Sequence, residues 1–459
     1  MNASRTLRMT AFAIAALIGG SAMASSPALV VEVESGRVLH AERATDPWYP
    51  ASVTKLMTAY VALDLVRSGR MSMETLLTVS ENAAAQPPSK MGFKPGTQIR
   101  LDNALKILMV KSANDVATTI AENIAGSVDG FSEVMNAQAR RLGMEDSHFA
   151  NPHGLPDERN QTTARDMALL ARALLLEFPQ HKDLFQIGAI QFGRRIMRNT
   201  NGLIGRYPGA DGMKTGFICS SGFNVVASAN RNGRHLITVV FGAPSANERT
   251  MKAADLFDRG FNTKVNFTNP TLTALPSSAI HSPPDMRSVI CDRRGPMPKE
   301  EDSPTTVASD EETNTVPNLF SSGVMAFAGS TAQPTRTTLG PRAAVQPERV
   351  WVGLTPPTEA ELAAEAAKEK AAAEQVRKAK AKKKAAPTKN AKIEAKDADD
   401  EKAAGKDTAQ AKDKSEPRAK VSLKPVSGDA KVGAKPATKP QAAASTKTDT
   451  ASKPKSAKN

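Results

Sequence analysis

Between Pro27 and Asn266 the apolar positions follow two rhythms, and the rhythms divide the region into blocks. "ALVVEVESGRVLHAE" reads as two β-rich runs around Ser35-Gly36, a hairpin. Apolar residues then recur at helical spacing over 53–67, 102–125, 130–143 and 163–177. The last of these opens with Thr163-x-x-Asp166, close to a capping box. The alternating pattern returns in "SGFNVVASANRNGRHLITVVFGA", a second hairpin turning at Asn232-Gly233, and "ANERTMKAADLFDRGF" closes the region as a helix. A strand pair, a helical stretch and another strand pair predict an α/β (α+β) fold. In it one mainly antiparallel sheet is covered by helices, with a helical insert between the N-terminal and C-terminal strands. A lone hairpin cannot bury both its faces, so the first is expected to join the sheet of the second.

The flanks differ in kind. Arg5 and Arg8, the apolar run "MTAFAIAALIGG" and Ala22-Met23-Ala24 read as a secretory signal peptide over 1–24, cleaved after Ala24. The run is too short to favour a membrane span. Residues 25–266 are expected to form one globular domain. From 267 to 357 the chain is rich in Pro, Ser and charge, with short apolar pieces such as "RVWVGL", and reads as a connector or a small domain. From 358 to 459 it is a low-complexity tail of Ala, Lys and Pro. From Glu361 onward it has no Phe, Trp or Tyr and too little apolar surface to offset its chain entropy. Part of "TEAELAAEAAKEKAAAEQVRKAKAKKK" has helical propensity, and the remainder is expected to be disordered.

The net charge of +14 suggests a polyanion partner until it is located. From Glu361 to Asn459 there are 25 Lys/Arg against 14 Asp/Glu, so most of the excess belongs to the tail. The folded region is nearly balanced, and no nucleic-acid groove is implied there. The tail is expected to touch the cell wall or an anionic membrane surface. Cys219 and Cys291 are the only cysteines. In an exported chain they either pair or remain two thiols, one of them buried, and spacing alone leaves both open. The six histidines have no metal-ligand spacing, so no metal is expected. His153, within "NPHGLPDERN", reads as a residue that fixes a loop.

Three short motifs carry the chemistry. Ser52-Val53-Thr54-Lys55 stands at the start of a helix, where Ser and Thr are common simply as caps. Ser112-Ala113-Asn114 and Lys214-Thr215-Gly216 follow in order. Each is weak alone; together, in one exported domain, they form the Ser-x-x-Lys, Ser-x-Asn, Lys-Thr-Gly trio of acyl-serine enzymes. A serine hydroxyl is a poor nucleophile until a base takes its proton. Ser52 and Lys55 share a helix face, and burial beside Lys214 would keep Lys55 partly uncharged.

With these motifs and the segments "PASVTKLMTAYVAL", "SANDVATTIAE", "SHFANPHGLPDERNQTTARDMALLARALL" and "GADGMKTGFICSSGFNVVASA", the chain resembles the low-molecular-mass penicillin-binding proteins, serine D-alanyl-D-alanine carboxypeptidases of the S11 type. The resemblance covers roughly Pro27 to Phe261 and implies a β-lactamase/transpeptidase-like fold. It implies an acyl-enzyme on Ser52, with Lys55 as base and Ser112 relaying a proton. Asn114, Lys214, Thr215, Gly216 and Arg249 would hold the substrate, and the backbone N–H groups of Ser52 and Phe217 would form an oxyanion hole. The partners implied are peptidoglycan stem peptides and inhibitory β-lactams; no cofactor is implied, and the place of work is the periplasm or envelope. A D,D-endopeptidase would share these motifs. A class A β-lactamase would need a glutamate in a Glu-x-x-Leu-Asn setting, and Glu158 in "HGLPDERNQ" is not in one. A polyanion-binding envelope protein working through its tail is the reading of another class. The β-rich second domain and amphipathic anchor helix that many relatives carry are not evident in this sequence.

Overall fold

The computed structural model describes residues 26–293, 297–298, 300, 306–307, 339–364, 367–368, 371, 374–375 and 378. The chain divides by contact into Met1–Ala386 and Pro387–Asn459, and all described residues belong to the first unit. The expected signal segment and nearly all of the expected tail lie outside the described residues.

The first hairpin forms as its pattern predicts: β1 (Ala28–Glu32) runs antiparallel to β2 (Val38–Glu42). A 3-10 turn (Ala51–Thr54) leads into α1 (Lys55–Arg67). Ten of the 13 residues of α1 are buried, so it is a central helix wrapped by others rather than a surface helix with one apolar stripe. β3 (Leu76–Thr78), α2 (Glu81–Ala85) and β4 (Gln98–Arg100) make a small lobe. α3 (Leu101–Val110) and α4 (Asn114–Ala125) follow, then α5 (Val128–Arg141), α6 (Ala164–Glu177) and the short α7 (Asp183–Gln186). The hairpin of β5 (Ala189–Phe192) and β6 (Arg195–Arg198) precedes three long strands, β7 (Ala210–Ile218), β8 (Gly222–Arg231) and β9 (Arg234–Ala243). α8 (Ala246–Asn262) closes the globular region, and α9 (Arg287–Ile290), β10 (Thr306–Val307) and β11 (Glu348–Arg349) are short.

The main sheet has five strands in the order β2-β1-β9-β8-β7, so the two sequence hairpins meet through the β1–β9 pair. Strand alternation sorts its residues into two cores. Leu29, Val31, Ile237, Val239 and Phe241 face the helical insert, and Ala28, Val30, Leu236 and Val240 face α8. Asn232 and Gly233 both take positive φ in the β8–β9 turn, as a two-residue hairpin requires.

Three departures from the sequence reading have local causes. The stretch 102–125 is two helices, broken at Lys111–Ala113, where Ser112 takes φ +59°. Apolar spacing continues through the break and so conceals it. Thr163 caps α6 by accepting from the Asp166 N–H, but Asp166 does not reach back as in a full capping box. Its carboxylate is taken by the Asp146 N–H, Ser147 Oγ and Arg165 Nε. The region 267–357 is less of a free connector than its composition suggests. β10 pairs with β6, β11 pairs with β5, and Arg342 donates to the carbonyls of Asn199 and Asn201. At the start of the tail, Thr358 and Glu361 satisfy each other's backbone N–H groups at the head of a helical stretch, 359–364. Among the described residues no helix is long and apolar enough to cross a membrane.

α8 holds Arg249 in place through the apolar seam that includes Phe257, which is fully buried against the sheet. Phe257→Ala is expected to lower the unfolding free energy by about 3–5 kcal/mol. Urea denaturation followed by circular dichroism measures this, and a loss below about 1 kcal/mol would mean that the seam does not hold the helix.

Candidate active site

Ser52 lies in the 3-10 turn, and the turn and α1 start without a side-chain cap at Pro50 or Thr54. The Ser52 hydroxyl is therefore not spent on capping. It stands 2.9 Å from Lys55 Nζ. Ser52 is half-buried, whereas Lys55 is fully buried. Two further oxygens surround the Lys55 amine: Asn114 Oδ1 at 2.8 Å and the His153 carbonyl at 2.9 Å.

The turn is held in shape from three sides. Asn224, buried on β8, donates to the carbonyls of Tyr49 and Pro50 and accepts from the Gly242 N–H. Gly154 packs so closely that a Cβ there would sit 1.8 Å from the Ala51 carbonyl oxygen. On the third side Gly216 of β7 approaches the turn, where a Cβ would fall 2.7 Å from the Ser52 nitrogen and 2.9 Å from that of Val53. The glycine of Lys-Thr-Gly thus lets the strand edge reach the nucleophile's own peptide.

The helix break places the second motif. Asn114 begins α4, and its side-chain amide bridges Lys55 Nζ and the Pro87 carbonyl. Next to it, the buried Asp115 carboxylate accepts from the N–H groups of Met91 and Gly92 and fixes that loop. Ser112 is buried, and its hydroxyl has no hydrogen-bond partner among the described residues. An orphaned hydroxyl costs about 1–3 kcal/mol, which a bound group offering a partner would recover.

Lys214 and Thr215 are buried on β7. Lys214 Nζ donates to the Thr215 carbonyl, and Thr215 Oγ1 is 2.8 Å from Thr200 Oγ1. Arg249 is fully buried, with Nη2 toward the Thr200 carbonyl at 3.4 Å and Nη1 paired to the Glu300 carboxylate at 3.0 Å. Phe217 follows Gly216 on β7 and stacks on Phe223. Cys219, just beyond β7, forms a disulfide with Cys291.

Burial and crowding of cations set the electrostatics. Desolvation first, and the Lys214 charge second, hold the Lys55 amine well below the usual lysine range. Burial pushes Lys214 down to about 8. Burial also pushes His153 down to about 3, so its ring stays neutral in the physiological range. That ring accepts from the Leu155 N–H, in keeping with a loop-fixing role. Glu158 is exposed. Among the described residues no cluster of His, Cys, Asp or Glu could hold a metal.

The structure thus brings Ser52, Lys55, Asn114 and Gly216 into direct contact or near-contact. It sets Lys214 close enough to act on Lys55, and sets Thr215 and Arg249 around Thr200. Sequence reading missed Thr200, Asn224 and Glu300. Asn224 left a faint signal as a polar residue at the start of the apolar run of β8, while the other two carry no local pattern.

The family model for D-alanyl-D-alanine carboxypeptidases matches residues 13–245. The protein belongs to the D-alanyl-D-alanine carboxypeptidase family, the low-molecular-mass penicillin-binding proteins of the S11 type. It is 32% identical to the Bacillus subtilis D-alanyl-D-alanine carboxypeptidase DacF over 51% of this chain and 61% of that protein. It is also 32% identical to the Haemophilus influenzae carboxypeptidase DacA, again over 51% of this chain and 61% of that protein. The chain therefore spans about three fifths of the length of these relatives. Among solved structures, penicillin binding protein 6B of Escherichia coli aligns at 32% identity and a TM-score of 0.50, covering 53% of this chain and 80% of that one.

Gly216→Ala should leave the fold intact and misplace the Ser52 turn. With Ser52 as the nucleophile proposed below, its labelling by a β-lactam probe is expected to slow on the order of 100-fold, the cost of displacing reacting atoms by about an ångström. Labelling at the wild-type rate would show that β7 and the turn need not approach so closely.

Proposed function

We propose that this chain is an exported serine-type D-Ala-D-Ala carboxypeptidase, which removes the terminal D-alanine of peptidoglycan stem peptides through an acyl-enzyme on Ser52. The observation that carries the reading is the Lys55 amine, buried, depleted of charge and 2.9 Å from a half-buried serine hydroxyl.

Neutral Lys55 takes the Ser52 proton as Oγ attacks the carbonyl carbon of the penultimate D-alanine. The negative oxygen of the tetrahedral intermediate lies toward the Ser52 and Phe217 N–H groups. As it collapses, the C–N bond breaks, and the leaving amine takes the proton from Lys55 by way of Ser112. A water then attacks the ester, with Lys55 again the base, and frees Ser52. Lys214, Thr215 and Arg249 receive the substrate's terminal carboxylate, Asn114 its amide, and the edge of β7 its extended backbone. β-Lactams would be inhibitory because they form the same ester and leave it slowly. The exposure of Glu158 gives no support to a glutamate-assisted deacylation of the class A kind.

Mass spectrometry of the intact protein with benzylpenicillin should show one covalent adduct, mapped to Ser52 and absent from Ser52→Ala. A folded wild type that stays unlabelled overturns the mechanism. Assaying a pentapeptide beside a cross-linked dimer separates carboxypeptidase from endopeptidase action.

The pH profile has a definite sign. Lys55 must be neutral, so kcat/KM should fall on the acid side as Lys55 gains a proton. Lys214 must be charged to hold a carboxylate, so kcat/KM should fall again on the alkaline side, with a midpoint near about 8. Lys214→Arg should carry that alkaline limb upward, because guanidinium keeps its proton. An unmoved limb would assign it to another group.

A further inference from the structure

Arg249 reads a carboxylate in the proposed reaction, yet in this structure it already holds one. Glu300 Oε1 lies 3.0 Å from Arg249 Nη1. Among the described residues the guanidinium also donates to the neutral carbonyls of Asn224 and Thr200, at 3.5 and 3.4 Å. The Glu300 charge also acts on Lys214 and on Lys55, raising both against the trend set by burial. Arg249 and Lys214, the two cations proposed to receive the substrate's carboxylate, are both buried, and Glu300 pairs directly with the first of them.

The route by which the chain arrives there is anchored. Cys219 follows the Lys-Thr-Gly strand directly, and its disulfide to Cys291 fastens the end of α9 beside the site. A backbone bond from the Met286 N–H to the Ser220 carbonyl adds to this. Glu300 is nine residues past Cys291, a span that could reach about 30 Å when extended. The anchor thus keeps this carboxylate at high effective concentration near Arg249 without forcing it to remain.

We propose that Glu300 is a built-in competitor for the substrate's C-terminal carboxylate, occupying Arg249 in the resting enzyme and held within reach by the Cys219–Cys291 disulfide. It makes Glu300 a specificity-determining residue and rests on the carboxypeptidase reading above. A fully buried guanidinium left without a counter-charge is costly, so the Glu300-paired state predominates, and a minority of molecules leave Arg249 open to another carboxylate. Peptides ending in a free carboxylate can make that exchange. The apparent affinity for them is reduced by the fraction of molecules in which Arg249 is vacant. If the internal pair is formed in about 70–90% of molecules, removing it improves apparent affinity by roughly three- to tenfold.

The test uses the full mature chain as wild type, Glu300→Gln, and the double variant Cys219→Ser/Cys291→Ser, with circular dichroism melts confirming that each is folded. Steady-state kinetics are measured on a peptide ending in D-Ala-D-Ala, and labelling of Ser52 is timed with benzylpenicillin, which also carries a carboxylate. The expected result for Glu300→Gln is a KM lower by about three- to tenfold with kcat little changed, and faster labelling at low benzylpenicillin concentration. The double cysteine variant should move in the same direction by a smaller factor, because it loses the anchor and keeps the carboxylate. A KM for Glu300→Gln equal to or above that of wild type, with Ser52 labelled in both, overturns the competitor and leaves the carboxypeptidase reading standing. Ser52 unlabelled in every folded protein overturns that reading, and the competitor with it.

Discussion

A lysine amine with no access to water is the constraint around which this molecule is arranged. Burying an ammonium is expensive unless it is paired or loses its proton, and Lys55 is surrounded by neutral oxygens rather than by a touching carboxylate. The nearest opposing charges, Asp115 and Glu300, act from a distance and only partly offset the desolvation and the push from Lys214. The outcome is an amine that gives up its proton more readily than an ordinary lysine. The fold must then keep water out and oxygens in, and each neighbouring element contributes to that.

α1 carries Lys55 and is buried on nearly every side, which explains why its sequence is apolar almost all round. The α3–α4 break costs a non-glycine residue a positive φ at Ser112. It delivers Asn114 to the amine and leaves the Ser112 hydroxyl without a partner among the described residues. A strained backbone position and an unsatisfied buried hydroxyl on the same residue are features that cluster at functional sites, which supports the role proposed for Ser112. β7 closes the remaining side, and it can do so only because position 216 has no side chain.

Much of this was legible because the physics behind it is local. The two hairpins, their union in one sheet, the start of α6 at Thr163 and the glycine turn at Asn232-Gly233 all follow from patterns a few residues long, while the fifth strand, β7, was not among them. The three catalytic motifs were legible because each is contiguous. What escaped notice is non-local. The break at Ser112 hides within unbroken apolar spacing. β5 and β6 are four residues each and acquire partners from chain more than a hundred residues away. Thr200 and Glu300 matter only because folding brings them to Arg249, and no pattern in their own neighbourhoods announces it.

The charge balance of the pocket gives Glu300 a meaning beyond a stray contact. Lys214 and Arg249 are buried cations that repel each other, the Lys214 charge also weighs on the buried Lys55 amine, and a protein gains nothing in stability by gathering such groups. The arrangement is sensible only if an anion completes it during part of the working cycle. In the proposed reaction that anion is the end of the peptide, which by its charge would raise the affinity of Lys55 for a proton as the substrate docks. An internal carboxylate supplies the same charge between cycles, so the base is held near the electrostatic environment it will meet when substrate binds. The exchange of one carboxylate for another then alters the pocket's net charge little. The reorganisation that would accompany filling an empty cationic site is thereby avoided. The same exchange means that affinity for substrate is a difference between two ion pairs on one arginine, which is why it can be tuned at Glu300 without touching any group that reacts.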